Sequence, residues 1–359
     1  MTPITDSYDL GCRAVNAPAP PTARIFSGIQ PTGRKHLGNY IGAIRHYVEG
    51  QERAASPDAA IYCIVDLHAI TVDYDPAELR ERVHDTTAIL LAAGLDPERC
   101  ILFRQGDVRE HAELSWLLGA VTAWGDLNRM HQWKVKREQI ESGQGGFVSS
   151  ALFNYPTLMA ADVLAYRATT VPVGDDQRQH VELMRESARR FNERFGETLV
   201  VPEERIPELG ARIMDLQVPT NKMSTTGGSE QGTVLVLDDP KTVTKKIKSA
   251  VTDSGREVVR GAGKEGIENL IDILAVVRGS DAAAIEAEFE GQGYGDFKGA
   301  VAEAVVEYLA PVRERYEAIR ADEAAIENAL AAGAEKARAI AAATLADVRE
   351  AMGVAEPRS

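Results

Sequence analysis

The residues best suited to holding a charged substrate form a loop after the first apolar segment, Ser27-Gly28-Ile29-Gln30-Pro31-Thr32-Gly33-Arg34-Lys35-His36-Leu37-Gly38-Asn39-Tyr40. Glycines and a proline make it tight, and a helix is predicted to start near Leu37. The free N–H groups at a helix start, with the positive end of its dipole, attract anions. His36 and Asn39 flank Gly38, which lets a flat or bulky group approach the backbone. His-x-Gly-Asn alone is a weak signal, and a histidine before a helix is more often an ordinary surface residue. The spacing excludes two familiar phosphate loops, since it is neither G-x-x-x-x-G-K-[ST] nor G-x-G-x-x-G.

Lys222-Met223-Ser224 lies in a second loop, VPTNKMSTTGGSEQGT. Its glycines and small polar residues read as mobile, and such loops with a lysine close over phosphates. A third group lies on YPTLMAADVLAY, where helical spacing puts Tyr155, Met159, Asp162 and Tyr166 on one face. A carboxylate among Met, Ala, Val and Leu needs a partner when buried. That partner is either a group of the protein itself or a donor on a ligand.

The elements that must position these groups alternate. ARIFSGI, AIYCIVDLHAI, CILFRQG and TTVPVG are short, β-branched or aromatic runs ended by Gly or polar residues, and read as strands. LGNYIGAIRHYVEGQERA and DPAELRERVHDTTAILLAAG carry apolar residues at helical spacing; the second opens on Asp75 and Pro76, an N-cap and N1 pair, and stops at Gly94. Strands alternating with helices predict βαβ units, hence an α/β fold with a Rossmann-like parallel sheet. Such sheets bind ligands beyond the carboxyl ends of their strands. After about Gln231 only the short TVLVL reads as a strand. GIENLIDILAVVRG, AVAEAVVEYLAPVRERYEAIRAD and EKARAIAAATLADVREAM read as helices, with Pro311 kinking or dividing the second. The expected organisation is a disordered N-terminal extension at 1–23, a Rossmann-like domain with an inserted helical pocket region at 24–220, the mobile second loop and a helical C-terminal domain at 221–353, and a tail at 354–359.

With 359 residues, one large or two moderate domains are expected. No apolar run approaches the roughly 20 residues that span a bilayer, and the Ala/Pro-rich N-terminus lacks the pattern of a secretory signal. Cys12, Cys63 and Cys100 are odd in number and far apart, which argues against disulfides and against a zinc site. A cytoplasmic protein without a bound metal is expected. The net charge of −14 argues against uniform coating by nucleic acid but allows a local basic surface. Lys241, Lys245, Lys246 and Lys248 are either a solvated helix face or an RNA contact.

The two loops together resemble the paired motifs of class I aminoacyl-tRNA synthetases. FSGIQPTG, HLGNYIGAI, IVDLHAIT, YPTLMAADVL, VPVGDDQRQH, GARIMDL, KKIKSAVTD and FKGAVAEAV, in this order from about Arg24 to Gly353, resemble the bacterial tryptophanyl-tRNA synthetase family. The resemblance implies a ligase that activates L-tryptophan with ATP and Mg2+, then esterifies it to tRNA(Trp). It implies that Asp162 accepts the indole N–H, an apt partner because that nitrogen only donates. Met159 would pack on the ring, Phe26 would form another wall, and His68 would border the pocket or is a satisfied structural histidine. Tyr155 and Gln177 would orient the α-amino group. Val171 and Val173 are pocket floor or core. ATP would meet Gln30, Pro31, Thr32, His36, Gly38, Asn39, Gly174, Asp175, Asp176, Ile213, Lys222, Met223, Ser224, Thr225 and Thr226. Within that set Lys222, Ser224, His36 and Gln30 are the expected catalytic residues. Lys134 and Lys136 resemble lysines that reach pyrophosphate, or are solvated charges.

One departure stands out. The family's loop usually reads K-M-S-K-S, whereas Thr225 here replaces the second lysine. Losing one such contact costs roughly 2–4 kcal/mol unless another group compensates. The resemblance further implies attack by the 2′-hydroxyl of the terminal adenosine, a helical domain that recognises the anticodon region, and a homodimer; neither DNA nor membrane is expected as a partner. The rival readings are a tyrosine–tRNA ligase, a tryptophan-binding regulator that has lost charging, and a nicotinamide-dependent enzyme. The last lacks its glycine fingerprint.

Overall fold

The computed structural model describes residues 23–142, 146–172, 177–205, 212–225 and 228–354. The readings on the N-terminal extension before Ala23, on Val173, Gly174, Asp175 and Asp176, on Thr226 and on residues 355–359 lie outside them.

The sheet starts from four apolar runs. IFSGI forms β1 (Ile25–Ile29), AIYCI forms β2 (Ala60–Ile64), ILFR forms β3 (Ile101–Arg104) and TVP forms β4 (Thr170–Pro172). A fifth strand, β5 (Glu203–Arg205), pairs with β4 and was not foreseen. The order is β3-β2-β1-β4-β5, and every pairing is parallel. Register runs from Ile25 opposite Ala60 to Ile29 opposite Ile64, whereas β1 and β4 share the pair Ile25–Thr170. The chain order reverses direction between β1 and β4, the point at which doubly wound sheets open a ligand crevice.

Alternate residues of β2 face opposite sides, and all are buried: Tyr62 and Ile64 join one apolar cluster, Ile61 and Cys63 the other. Burial on both faces explains why β2 reads as a continuous apolar run. On the first face lie α1 (Leu37–Asn39), a π-helical turn (Tyr40–Ile44) and α2 (Arg45–Arg53), with α4 (Pro76–Ala93) beyond the short α3 (Asp66–Ala69). Asp75 Oδ1 accepts from the Ala77 and Glu78 amides, and Gly94 ends α4 at φ 115°, so both predicted caps form. On the second face α5 (Glu110–Gly119), α8 (Ser150–Leu164) and α9 (Arg178–Phe195) cover the sheet; α6 (Trp124–Arg129) and α7 (His131–Ser142) form a smaller cluster with α8 through Leu127, Trp133 and Leu152.

The later helices are α10 (Pro240–Lys248), α11 (Glu265–Arg278), α12 (Ala282–Glu288), α13 (Tyr294–Arg320) and α14 (Glu323–Met352). Leu270, Val301 and Leu309 pack with Ile44 and Leu90 in one cluster. α14 passes along β3: Ile326 and Leu330 join the first cluster, Ala334 to Val348 the second. Gly333 meets the Leu102 carbonyl so closely that no side-chain carbon fits.

Three expectations are corrected. TVLVL is no strand of the sheet; its Leu235 makes one isolated bridge to His36, the Leu37 amide donates to the Val234 carbonyl (2.8 Å) and the Val236 amide to the Lys35 carbonyl (2.9 Å). That β-branched run pins the first loop. Pro311 does not divide α13, which runs 27 residues through it. It lies on the exposed side, where the carbonyl it frees faces water. Lys246 is buried, donating to Asp238 Oδ2 (2.7 Å) and the Thr233 carbonyl (2.8 Å), so it belongs to no solvated face.

Candidate active site

Asp162 sits on α8, 2% exposed, and its carboxylate accepts three hydrogen bonds. Oδ2 accepts from His68 Nε2 at 2.8 Å; Oδ1 accepts from His111 Nδ1 and Gln105 Nε2, both at 2.6 Å. Burial pushes the carboxyl up, but the His68 charge and the histidine hydrogen bonds outweigh it and hold Asp162 well below the usual carboxylate range. An ionised carboxylate only accepts, so the facing ring nitrogens carry protons. His111 Nε2 meets the Tyr166 hydroxyl at 2.6 Å, and Tyr166 stacks on Phe26 with ring centroids 5.5 Å apart. A carboxylate has about four acceptor positions; three are in use.

The same helical face carries Tyr155, as its spacing predicted. The Tyr155 ring lies edge-on to His68 at 6.1 Å, and its hydroxyl bonds His180 Nε2 at 2.7 Å. Lys136 holds its ammonium 5.6 Å from the Tyr155 ring, and burial lowers its pKa. Lys134 is exposed. Met159 is half-buried on α8, Gln177 half-buried just before α9, and Val171 joins Phe26 in the buried cluster.

The first loop leaves β1 at Ile29, beside α3, whose His68 follows β2. Both therefore lie at the carboxyl edge of the sheet. Within the loop, Lys35 is 6% exposed and donates to the carbonyls of Gln30 (2.6 Å) and Thr32 (3.3 Å). Burial, then the charge of Arg82, lowers its pKa to about 8. Lys35 and Arg82 line a cavity of about 210 Å³ behind the loop. Pro31 is buried, whereas Gln30 and Thr32 are exposed. His36 is buried, and its pKa falls to about 4 through burial first, then the charges of Lys222 and Lys35. Asn39 Oδ1 accepts from the His36 amide (3.1 Å), bracing the turn at Gly38.

The second loop is carried on a two-stranded ribbon. Met214 and Lys222 face each other in an antiparallel bridge, flanked by Met223 N–H to Ile213 carbonyl (3.0 Å) and Asp215 N–H to Asn221 carbonyl (2.8 Å). Ile213 and Met223 are buried, Lys222 exposed and Ser224 half-buried. The Thr233 hydroxyl holds the Ser224 carbonyl at 3.0 Å. Gly33 adopts φ 61°, a left-handed turn open to glycine, and Thr225 Oγ1 lies 2.7 Å from where a side-chain carbon at residue 33 would stand. The residue in the family's lysine position thus abuts the first loop.

Two groups come together at the carboxyl edge: an aromatic pocket around Asp162, and a cradle in which the charges of Lys35 and Lys222 flank a neutral His36. Gly174, Asp175, Asp176, Val173 and Thr226 lie outside the described residues. Sequence reasoning missed His111, Gln105 and Lys35. All three are buried polar side chains beside apolar runs, the one signal that marked Asp162.

The family model for class I tRNA synthetases of the W and Y branch matches residues 20–310. A tryptophan–tRNA ligase of Wolinella succinogenes is 46% identical over 331 residues, covering 92% of this chain and 98% of the relative. The crystal structure of tryptophanyl-tRNA synthetase from Mycoplasma pneumoniae matches at 35% identity with a TM-score of 0.84, covering 93% of this chain and 98% of that one. The Campylobacter jejuni enzyme complexed with ADP and tryptophan matches at 34% identity and 0.77, covering 92% and 99%. With its parallel sheet, its paired loops and relatives aligned over nearly their whole length, the chain belongs to the bacterial tryptophanyl-tRNA synthetases of class I.

Proposed function

We propose that the crevice at the carboxyl edge is where this chain, which joins tryptophan to its tRNA at the expense of ATP, performs both steps. The observation that carries the assignment is Asp162: a buried, ionised acceptor with three donors in place and capacity for one more. An indole N–H suits that fourth acceptor position because it donates and never accepts. Phe26, His68, Tyr155, Met159 and Val171 supply aromatic and apolar surroundings, and Gln177 a polar edge for the α-amino group.

In the first step, a tryptophan carboxylate oxygen attacks the α-phosphorus of ATP; the bond to the bridging oxygen breaks and pyrophosphate leaves. Positioning and electrostatics carry such a displacement. Lys222 and Lys136 would stabilise phosphate charge, with Ser224, Gln30, Asn39 and the loop amides as donors. His36, its pKa near 4, acts as a neutral hydrogen-bonding group and adds no positive charge. Among the described residues no group of three His, Cys, Asp or Glu side chains could hold a metal ion; magnesium would arrive on the ATP phosphates, which it favours. In the second step the 2′-hydroxyl of the terminal adenosine attacks the adenylate carbonyl and AMP leaves.

Residues 24–220 would form the catalytic domain, and the helices within 221–353 would recognise the anticodon region. A homodimer belongs to the same reading: Trp116, Trp124 and Phe147 are 84%, 68% and 88% exposed, apolar surface that a second copy would cover. Among the described residues no helix is long and apolar enough to cross a membrane. The test is tryptophan-dependent exchange of pyrophosphate into ATP, with tyrosine in parallel and charging of tRNA(Trp) as the second readout. Exchange with tryptophan alone is expected; binding of tryptophan without exchange would favour the regulator instead.

A further inference from the structure

The ribbon that carries Lys222 has a free edge at Met214. In an antiparallel bridge without its own hydrogen bonds, the backbone N–H and C=O of the facing residues point away from the partner strand. Those of Met214 meet one side chain. Asn269 on α11, 3% exposed, accepts from the Met214 amide through Oδ1 at 2.8 Å and donates to the Met214 carbonyl through Nδ2 at 3.0 Å. A side-chain amide is chemically a peptide group, so Asn269 takes the place of a third strand. Other ties hold the same short stretch: the Val251 amide donates to the Leu216 carbonyl (2.7 Å), and Asp215 Oδ1 accepts from the amides of Gln217 (2.8 Å) and Val218 (3.0 Å). Of these, Asn269 alone grips the residue directly opposite Lys222.

We propose that Asn269 is a positioning residue for Lys222: it fixes the height and register of the ribbon so that the ammonium meets the phosphates of the transition state. This rests on the assignment of Lys222 made above. An ammonium displaced by a loosened ribbon loses an interaction made with the transition state, which lowers kcat and spares tryptophan binding.

The experiment measures pyrophosphate exchange and tryptophan affinity for Lys222→Ala, Asn269→Ala, Asn269→Asp and the double variant Lys222→Ala with Asn269→Ala, all in the full chain. Asn269→Ala strands two backbone groups of the half-buried Met214 and is expected to lower kcat about 10- to 100-fold, with the tryptophan Kd within about twofold of the parent. Asn269→Asp keeps the size and the acceptor but loses the donor at neutral pH, and should fall between. The double variant should lose no more than Lys222→Ala, because the clamp acts through that lysine. The inference is overturned by a parental kcat in Asn269→Ala, by losses that multiply in the double variant, or by tryptophan affinity falling in step. If Asn269→Ala does not fold, Asn269→Asp decides by the same criteria. A parental kcat in Lys222→Ala overturns the lysine's role itself, and the inference with it.

Discussion

Replacing Asp162 by Asn keeps the shape of the side chain and removes its charge. Three donors now converge on two oxygens, from His68, His111 and Gln105. Asparagine offers one acceptor oxygen. If that oxygen takes the Oδ1 position, His111 and Gln105 keep their bonds and the new NH2 faces His68 Nε2. A histidine can answer by moving its proton to the other nitrogen; an indole N–H has no such freedom. The ligand would then lose a charge-assisted bond worth about 1.5–3 kcal/mol, so tryptophan should bind roughly 10- to 150-fold more weakly. Titration calorimetry with tryptophan, alongside the KM for tryptophan in pyrophosphate exchange, reads this; the KM for ATP should hold. The pH dependence has a definite sign. The folded-state pKa of Asp162 is depressed, so its charge stabilises the fold above the unfolded value of about 3.9 and that contribution is lost as pH falls toward the folded value. The stability gap between parent and Asp162→Asn should therefore hold from neutral pH to about pH 5 and close below it. Tryptophan affinity within twofold of the parent, or a gap that closes near pH 7, would refute this account.

His36 gives a spectroscopic check on the cationic cradle. Its pKa of about 4 has burial as the largest cause and Lys222 as the next, so Lys222→Ala should move the His36 NMR titration upward, short of the ordinary 6.5; a midpoint that stays put would separate the two loops. Since the folded pKa lies below the unfolded one, the neutral His36 disfavours the fold progressively as pH falls from about 6.5 to 4. Gly333→Ala and Gly299→Ala, both within helices, should have opposite signs. At Gly299 nothing lies within 4 Å and alanine should gain about 0.5–1 kcal/mol, whereas at Gly333 the Leu102 carbonyl blocks the new carbon and the loss should be about 3 kcal/mol, read by chemical denaturation.

What the sequence made legible has a common physical origin: signals that are local and periodic. β1 to β4, the Asp75–Pro76 start and Gly94 end of α4, and the shared face of Tyr155 and Asp162 all follow from spacing within one element. Signals set by the three-dimensional neighbour were not legible. β5 is a three-residue polar strand whose existence depends on β4 beside it. TVLVL has the composition of a strand, yet its backbone serves the first loop. Lys246 sits in a charge run that looks solvated, and only Asp238 reveals it as buried. His111 lies 51 residues from the carboxylate it holds; no period in a chain reports that.

The passage of α14 along β3 bears on how the molecule is made. Arg338 on this helix reaches the Asp107 carbonyl, 231 residues away in the chain, so strands β1 to β3 can pair during synthesis long before their cover exists. Until then the outer side of β3 is a row of unpaired amides and carbonyls, the template on which strands of other chains add. Contacts of such long range also slow folding, because the intervening chain must close first. The cover that α14 lays over β3 would thus be the last protection the sheet edge gains as the chain is made, and a chain lacking α14 would present that edge to other strands.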